Sequence, residues 1–252
     1  MNKLITSTQN EQVKKWRKLH KRKGREISGQ FMVEGFHLVE EACQSDWEVI
    51  DIILQENMQL PSFCKKHPHT YVSEKVFAHI SQTKSPQGIA AIVKMKQTDF
   101  KWSSKVLLVD AIQDPGNLGT IIRTADAAGF HSIILGNGTV DVYNDKVIRS
   151  TQGSLFHVTI TQGDLKNIIP HLQLDGFTVW ASDLENAKIY NQVERQEKTA
   201  LIVGNEGSGI DNTLLKKANM IVKIPIHGQA ESLNVSIAAG ILMYYINSYP
   251  LK

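Results

Sequence analysis

Ser232, Leu233 and Asn234 stand where an apolar strand (Met220 to Ile224, broken at Pro225) gives way to a helix of small apolar residues from Val235. Ser and Asn both cap helix N-termini well. A helix start also offers unpaired N–H groups to a polar ligand. A capped strand–loop–helix connection needs no ligand, so this stretch alone leaves both readings open. Two more polar loops lie upstream. Asp110 to Thr124 follows the apolar run Val106 to Val109; it carries a Pro115-Gly116 turn, Asn117 as a candidate helix cap, and Arg123 nearly two turns later. Leu118, Ile121, Ile122 and Ala125 make the apolar face of that helix, so Arg123 points away from it. Gly204-Asn205-Glu206-Gly207-Ser208-Gly209 follows Ala200 to Val203, with glycines that let a ligand approach the backbone and a carboxylate among them. It is neither the dinucleotide fingerprint nor a phosphate-cradling P-loop. A nucleotide-dependent oxidoreductase therefore lacks its signature.

The elements that must position these loops form a regular series. From Val106 onward, apolar strands (Val106–Val109, Ser132–Leu135, Phe156–Ile160, Phe177–Ala181, Ala200–Val203, Ile221–Ile224) are mostly separated by helices (Leu118–Ala128, Asp164–Leu172, Asn212–Ala218, and Val235 to about Tyr249). That alternation predicts a mostly parallel sheet covered on both faces, with ligands at the carboxyl ends of its strands. Upstream lies a smaller α/β region of about 95 residues, a size that suits an independent domain. Its expected strands are Phe31–Gly35, Val49–Leu54, Thr70–Val72 and one following Gln87. Its expected helices are Thr8–Lys23, Phe36–Cys43 (packing through Phe36, Val39, Ala42 and Cys43) and Ser73–Ile80. The organisation expected is therefore 1–96, a linker at 97–104, and 105–252.

Composition narrows the class. The 252 residues are 42% hydrophobic and 21% charged, which fits a globular chain. No apolar run reaches membrane-span length, and the first residues lack a secretory core, so a cytoplasmic protein is expected. Cys43 and Cys64 lack metal-ligand spacing, and no metal is expected. The net charge of +3 is unevenly spread. Residues 1–30 hold nine Lys and Arg against Glu11 and Glu26, a balance of +7 that leaves −4 for the remainder. Lys14, Lys15, Arg17, Lys21 and Arg22, with Trp16 and His20 between them, make a candidate polyanion contact; a solvated helix face is the plain alternative.

The three loops together resemble the SpoU (TrmH-type) branch of the SPOUT RNA methyltransferases. The resemblance rests on Asn117-Leu118-Gly119 with Arg123-Thr124, on Gly204 to Gly209, and on Ile224-Pro225-Ile226 with Ser232 to Ser236. Ile226 stands where the family usually has methionine. The region before them resembles the substrate-binding domain that often precedes this catalytic domain, through Phe31 to Gly35 and Ser85 to Ile89. The resemblance implies a trefoil-knotted α/β catalytic domain, a smaller N-terminal RNA-binding domain, and a homodimer. It implies S-adenosyl-L-methionine as cofactor and a ribose 2′-OH of RNA as acceptor, with large-subunit rRNA favoured over tRNA. It places Val203, Gly204, Asn205, Gly207, Ile224, Ile226, Ser232 and Leu233 around the cofactor. Asn117, Arg123, Glu206, Ser232 and Asn234 would form the catalytic set. Arg123 is often cast as the base in this family. A free guanidinium has a pKa of about 12.5–13.8, so neutralising one near pH 7 costs roughly 8 kcal/mol. A clamp on phosphate or developing alkoxide is the better expectation. The rival of another class is a non-catalytic RNA-binding or assembly protein on the same scaffold; the presence of all five catalytic-set residues argues against it.

Overall fold

The computed structural model describes residues 4–96, 102–184 and 186–248. Contacts divide the chain into two compact units, Met1–Gln97 with Asp141–Phe156, and Thr98–Val140 with His157–Lys252. Part of the expected linker, residues 97–101, lies outside the described residues, as does Tyr249, the expected end of the last helix.

The first unit opens with α1 (Glu11–Lys18) and α2 (Arg22–Ser28) rather than one helix over Thr8–Lys23. The chain folds back so closely at this corner that a Cβ on Gly24 would sit 2.0 Å from the Lys18 carbonyl oxygen. Val13, Trp16 and Leu19 form the narrow buried stripe that their spacing predicts. Trp16 is 2% exposed and packs into the core, so it is no stacking partner for nucleic acid. There follow β1 (Gln30–Glu34), α3 (Phe36–Gln44), β2 (Val49–Gln55), β3 (His69–Val72), α4 (Glu74–Ile80) and β4 (Ile89–Lys94). The sheet order is β1-β4-β2-β3, with β4 antiparallel to both β1 and β2. Ser73 caps α4 as expected, its side chain accepting from Val76 N. In α3 the buried face is Leu38, Val39 and Ala42; Phe36, expected among them, begins the helix and is 41% exposed.

The second unit carries seven parallel strands. They are β5 (Lys105–Val109), β6 (Ser132–Leu135), β7 (Thr159–Gln162), β8 (Thr178–Ser182), β9 (Lys188–Ile189), β10 (Thr199–Val203) and β11 (Met220–Lys223), ordered β7-β6-β5-β10-β8-β11-β9. Every pairing is parallel, and β5, β6, β8 and β10 are almost wholly buried, as their unbroken apolar runs require. The helices are α5 (Pro115–Ala127), α7 (Leu165–Leu174), α8 (Asn212–Leu215) and α9 (Val235–Ile246). Between β6 and β7, α6 (Asp145–Thr151) belongs to the first unit. The strand expected at Phe156–Ile160 begins only at Thr159, because Ser154–Phe156 is a single 3-10 turn. From β5 the chain adds strands outward on one side (β6, β7); β8, β10 and β11 lie on the other. At that reversal the loops leaving the carboxyl ends of β5 and β10 turn to opposite faces of the sheet.

Candidate active site

Three strands end together at this edge: β8 at Ser182, β10 at Val203 and β11 at Lys223. Their loops, with the starts of α5 and α9, enclose a cavity of about 670 Å³, within the range of small-ligand pockets. All eight residues expected around the cofactor line it, and so do Asn117, Glu206 and Asn234.

The three loops are tied by a run of side-chain amides. Asn234 caps α9, its Oδ1 accepting from Ser236 N at 2.9 Å and Ser236 Oγ at 2.6 Å. Its Nδ2 donates to Asn117 Oδ1 at 3.0 Å, and Asn117 Nδ2 donates to Glu206 Oε1 at 3.0 Å. Glu206 further accepts from Asp114 N at 3.2 Å and Gln113 N at 3.3 Å. Asn117 is thus the middle of the relay and not a cap. Asp114 caps α5 instead, accepting from Asn117 N at 2.7 Å, and frees the Asn117 side chain. Partial burial pushes the Glu206 carboxyl up, but the Asn117 amide and the backbone N–H groups of Glu206, Gln113 and Asp114 outweigh it. The net result lies below the ordinary carboxylate value.

The glycine loop is a closed hairpin: Asn205 and Gly209 exchange backbone hydrogen bonds at 2.9 and 3.0 Å. Gly204 must lack a side chain, since a Cβ would fall 2.4 Å from the Gly209 carbonyl carbon. Asn205 Oδ1 accepts from Gly207 N and Ser208 N, and its Nδ2 donates to Ala111 O at 2.8 Å. That bond steadies Ala111 in a left-handed conformation, φ 53°, which a Cβ makes costly. The strain is held in the loop after β5, which Asn205 ties to the hairpin.

Arg123 is exposed on α5, opposite Leu118, Ile121, Ile122 and Ala125, and does not line the cavity. Ser232 lines it but does not cap α9. Of the basic set, Lys14 pairs with Glu11 at 2.8 Å and Arg22 with Glu26 at 2.7 Å. Arg17 contacts His20 Nδ1 at 3.0 Å, while Lys15 and Lys21 are exposed. Sequence reasoning missed Ser182, Asp183, Leu184 and Lys223 in the cavity wall. They carry no motif, but their position at the ends of β8 and β11 was a usable signal. Among the described residues no cluster of His, Cys, Asp and Glu is arranged to hold a metal ion, and no helix is long and apolar enough to cross a membrane.

A parallel α/β sheet with a cavity at the carboxyl ends of its strands, walled by cross-linked loops, defines a small-ligand-binding enzyme fold. The chain belongs to the SpoU rRNA methylase family, whose model matches residues 104–244. A second match, to an MRM3-like substrate binding domain, covers residues 10–91. The chain is 44% identical to the 23S rRNA (guanosine(2553)-2′-O)-methyltransferase RlmP of Bacillus subtilis, over 97% of its own length and 99% of the relative's. Among solved structures it is similar to an rRNA methyltransferase from Sinorhizobium meliloti, at 32% identity and a TM-score of 0.89. The AdoMet-bound form of that enzyme matches at 31% identity and a TM-score of 0.90; each structure covers 99% of both chains.

Proposed function

We propose that this protein transfers a methyl group from S-adenosyl-L-methionine to a ribose 2′-OH of 23S rRNA. The observation that carries the reading is the Asn234–Asn117–Glu206 relay, which joins all three family motifs around one cavity. The cavity fits the cofactor in size and in kind: hairpin backbone at Gly204 to Gly209 and apolar walls at Val203, Ile224, Ile226 and Leu233 suit an adenosyl group. The cofactor supplies an electrophilic methyl on a sulfonium, so the protein has mainly to bind, orient and steady charge. Val203, Gly204, Asn205, Gly207, Ile224, Ile226, Ser232 and Leu233 hold it. Asn117, Glu206 and Asn234 fix the loops against one another. Arg123, exposed on α5 six residues beyond Asn117 and without an ion-pair partner among the described residues, grips RNA phosphate and steadies the alkoxide as the hydroxyl loses its proton to water or phosphate.

The remaining organisation accords with the same reading. The region before the linker at 97–104 binds the RNA; of its basic set, Lys15 and Lys21 have no carboxylate partner among the described residues, while Lys14, Arg17 and Arg22 are engaged by neighbours. The catalytic domain is a knotted homodimer; Ile237 and Tyr244, 54% and 56% exposed on α9, supply an apolar face for the second copy. An rRNA substrate places the protein in the cytoplasm.

The test is a map of 2′-O-methylation across cellular RNA with and without the protein. Loss of one 23S rRNA methyl group, restored by the purified protein and S-adenosyl-L-methionine, is the expected result. A lost mark on tRNA would overturn the substrate assignment, and an unchanged map would overturn the activity.

A further inference from the structure

One loop of the first unit is built with more care than its connection requires, and methyl transfer does not use it. Residues Ser81 to Gly88 run from α4 to β4. At one end Glu34 accepts from Ser81 Oγ at 2.6 Å and Gln82 N at 3.1 Å. At the other, Gln87 Oε1 accepts from Phe36 N at 2.8 Å. That clamp needs a glycine beside it: Gly35 has φ 99°, and a Cβ there would meet Gln87 Oε1 at 3.1 Å. With both ends pinned, Lys84, Ser85, Pro86 and Gln87 are held out in solvent.

The presented chemistry is specific. Gln87 is exposed and spends its oxygen on the backbone, which leaves the two N–H donors of its amide uncommitted to that bond. Next to it Phe36 is 41% exposed and lies off the buried face of α3. Exposed cations stand on the loop and on the α1–α2 corner. His20 contacts Ile80 O at 2.7 Å, which seats the α1–α2 corner against the start of this loop and brings Lys21 with it. Lys21 and Lys84 are exposed and have no carboxylate partner among the described residues. A partly exposed aromatic ring, an amide with donors to spare and exposed cations on the loop and the α1–α2 corner match an unpaired nucleobase with its phosphates, whereas the paired, stacked bases of a duplex could not reach the ring.

We propose that this loop and Phe36 form the recognition site for the RNA substrate: an unpaired base stacks on Phe36 and its acceptor edge takes a hydrogen bond from Gln87. The proposal rests on the RNA-methyltransferase reading and deepens it. It is tested with the full-length protein and two RNA probes of equal phosphate count, a hairpin with an unpaired loop and a perfect duplex. Phe36→Ala should weaken hairpin binding by about tenfold or more and leave duplex binding, the salt dependence and S-adenosylhomocysteine affinity unchanged. Phe36→Tyr should restore hairpin binding. Phe36 is exposed, so an unchanged melting temperature is expected and confirms that the variant is folded. Wild-type hairpin affinity in Phe36→Ala overturns the proposal alone, as does equal weakening on both probes or failure of Phe36→Tyr to rescue. Failure of the wild-type protein to bind either RNA would overturn the substrate reading as well.

Discussion

Arg123 and Glu206 are the two charged members of the motif set, and they stand in different surroundings. Glu206 is spent on structure: its carboxylate straps the loop after β5 to the hairpin after β10. Because its folded pKa lies below the ordinary value of 4.5, it stabilises the folded loops fully above that value. The stabilisation is lost as pH falls through the lowered folded pKa. Glu206→Gln should therefore weaken S-adenosylhomocysteine binding at pH 7 by about tenfold, the scale of one or two charge-assisted hydrogen bonds. It should also flatten the acid limb of a binding-against-pH titration; a limb as steep as in the wild type would place the titrating group elsewhere. Arg123 is exposed and outside the cavity lining, so its loss should spare cofactor binding. If it is a planar clamp, Arg123→Lys cannot reproduce the two-pronged grip and should lower the methylation rate by about a hundredfold. Near-wild-type turnover with an optimum at lower pH would instead mark Arg123 as a base.

At the scale of elements, the hairpin and the start of α9 each separate roles that sequence merges. Gly204→Ala puts a Cβ against the Gly209 and Ile210 backbone at 2.4–2.5 Å, where no side chain can yield. It should cost about 1–3 kcal/mol and abolish S-adenosylhomocysteine binding. Gly207→Ala meets only Asn205 Oδ1 at 3.6 Å and should be tolerated in thermal melting. Asn234 both caps α9 and donates to Asn117. Asn234→Ala loses both roles and should cost about 1 kcal/mol. Asn234→Asp keeps the capping oxygen and loses the donor, so it should melt near wild type yet bind cofactor poorly; normal binding would show that capping alone matters. The strands that build this site are plain in the sequence because parallel strands buried on both faces are continuous apolar runs, as in Val106–Val109 and Ala200–Val203. The two-residue β9 is too short for any periodicity. The cap of α5 lies three residues before the expected Asn117 because Asp114 precedes a proline that serves as the first helical residue. The relay itself is invisible in sequence, which marks Asn117, Glu206 and Asn234 as polar loop residues but carries no sign of which amide meets which.

At the scale of the whole molecule, chain order and compact units part company. Hydrophobic periodicity locates elements without naming their partners, and Asp141–Phe156 shows the consequence: it follows β6 in sequence yet packs in the first unit. Its hold there is chemical. Arg25, 5% exposed on α2, donates to Asp141 Oδ2 at 2.6 Å and to Leu19 O at 2.7 Å. Phe31 meets the Tyr143 ring at a centroid distance of 4.7 Å, and Phe156 packs edge-on against Trp47 at 5.5 Å. Burial of this kind raises the Tyr143 hydroxyl to about 12. A polypeptide of residues 1–97 alone would lose the Arg25–Asp141 ion pair and expose the aromatic face of Phe31 and Trp47 to water. Such a fragment should melt at a markedly lower temperature than the same residues joined to 141–156 by a flexible Gly/Ser linker. Circular dichroism melting compares the two directly. Equal melting temperatures would mean that the first ninety-seven residues are self-sufficient, and that the crossing segment adds nothing to their fold.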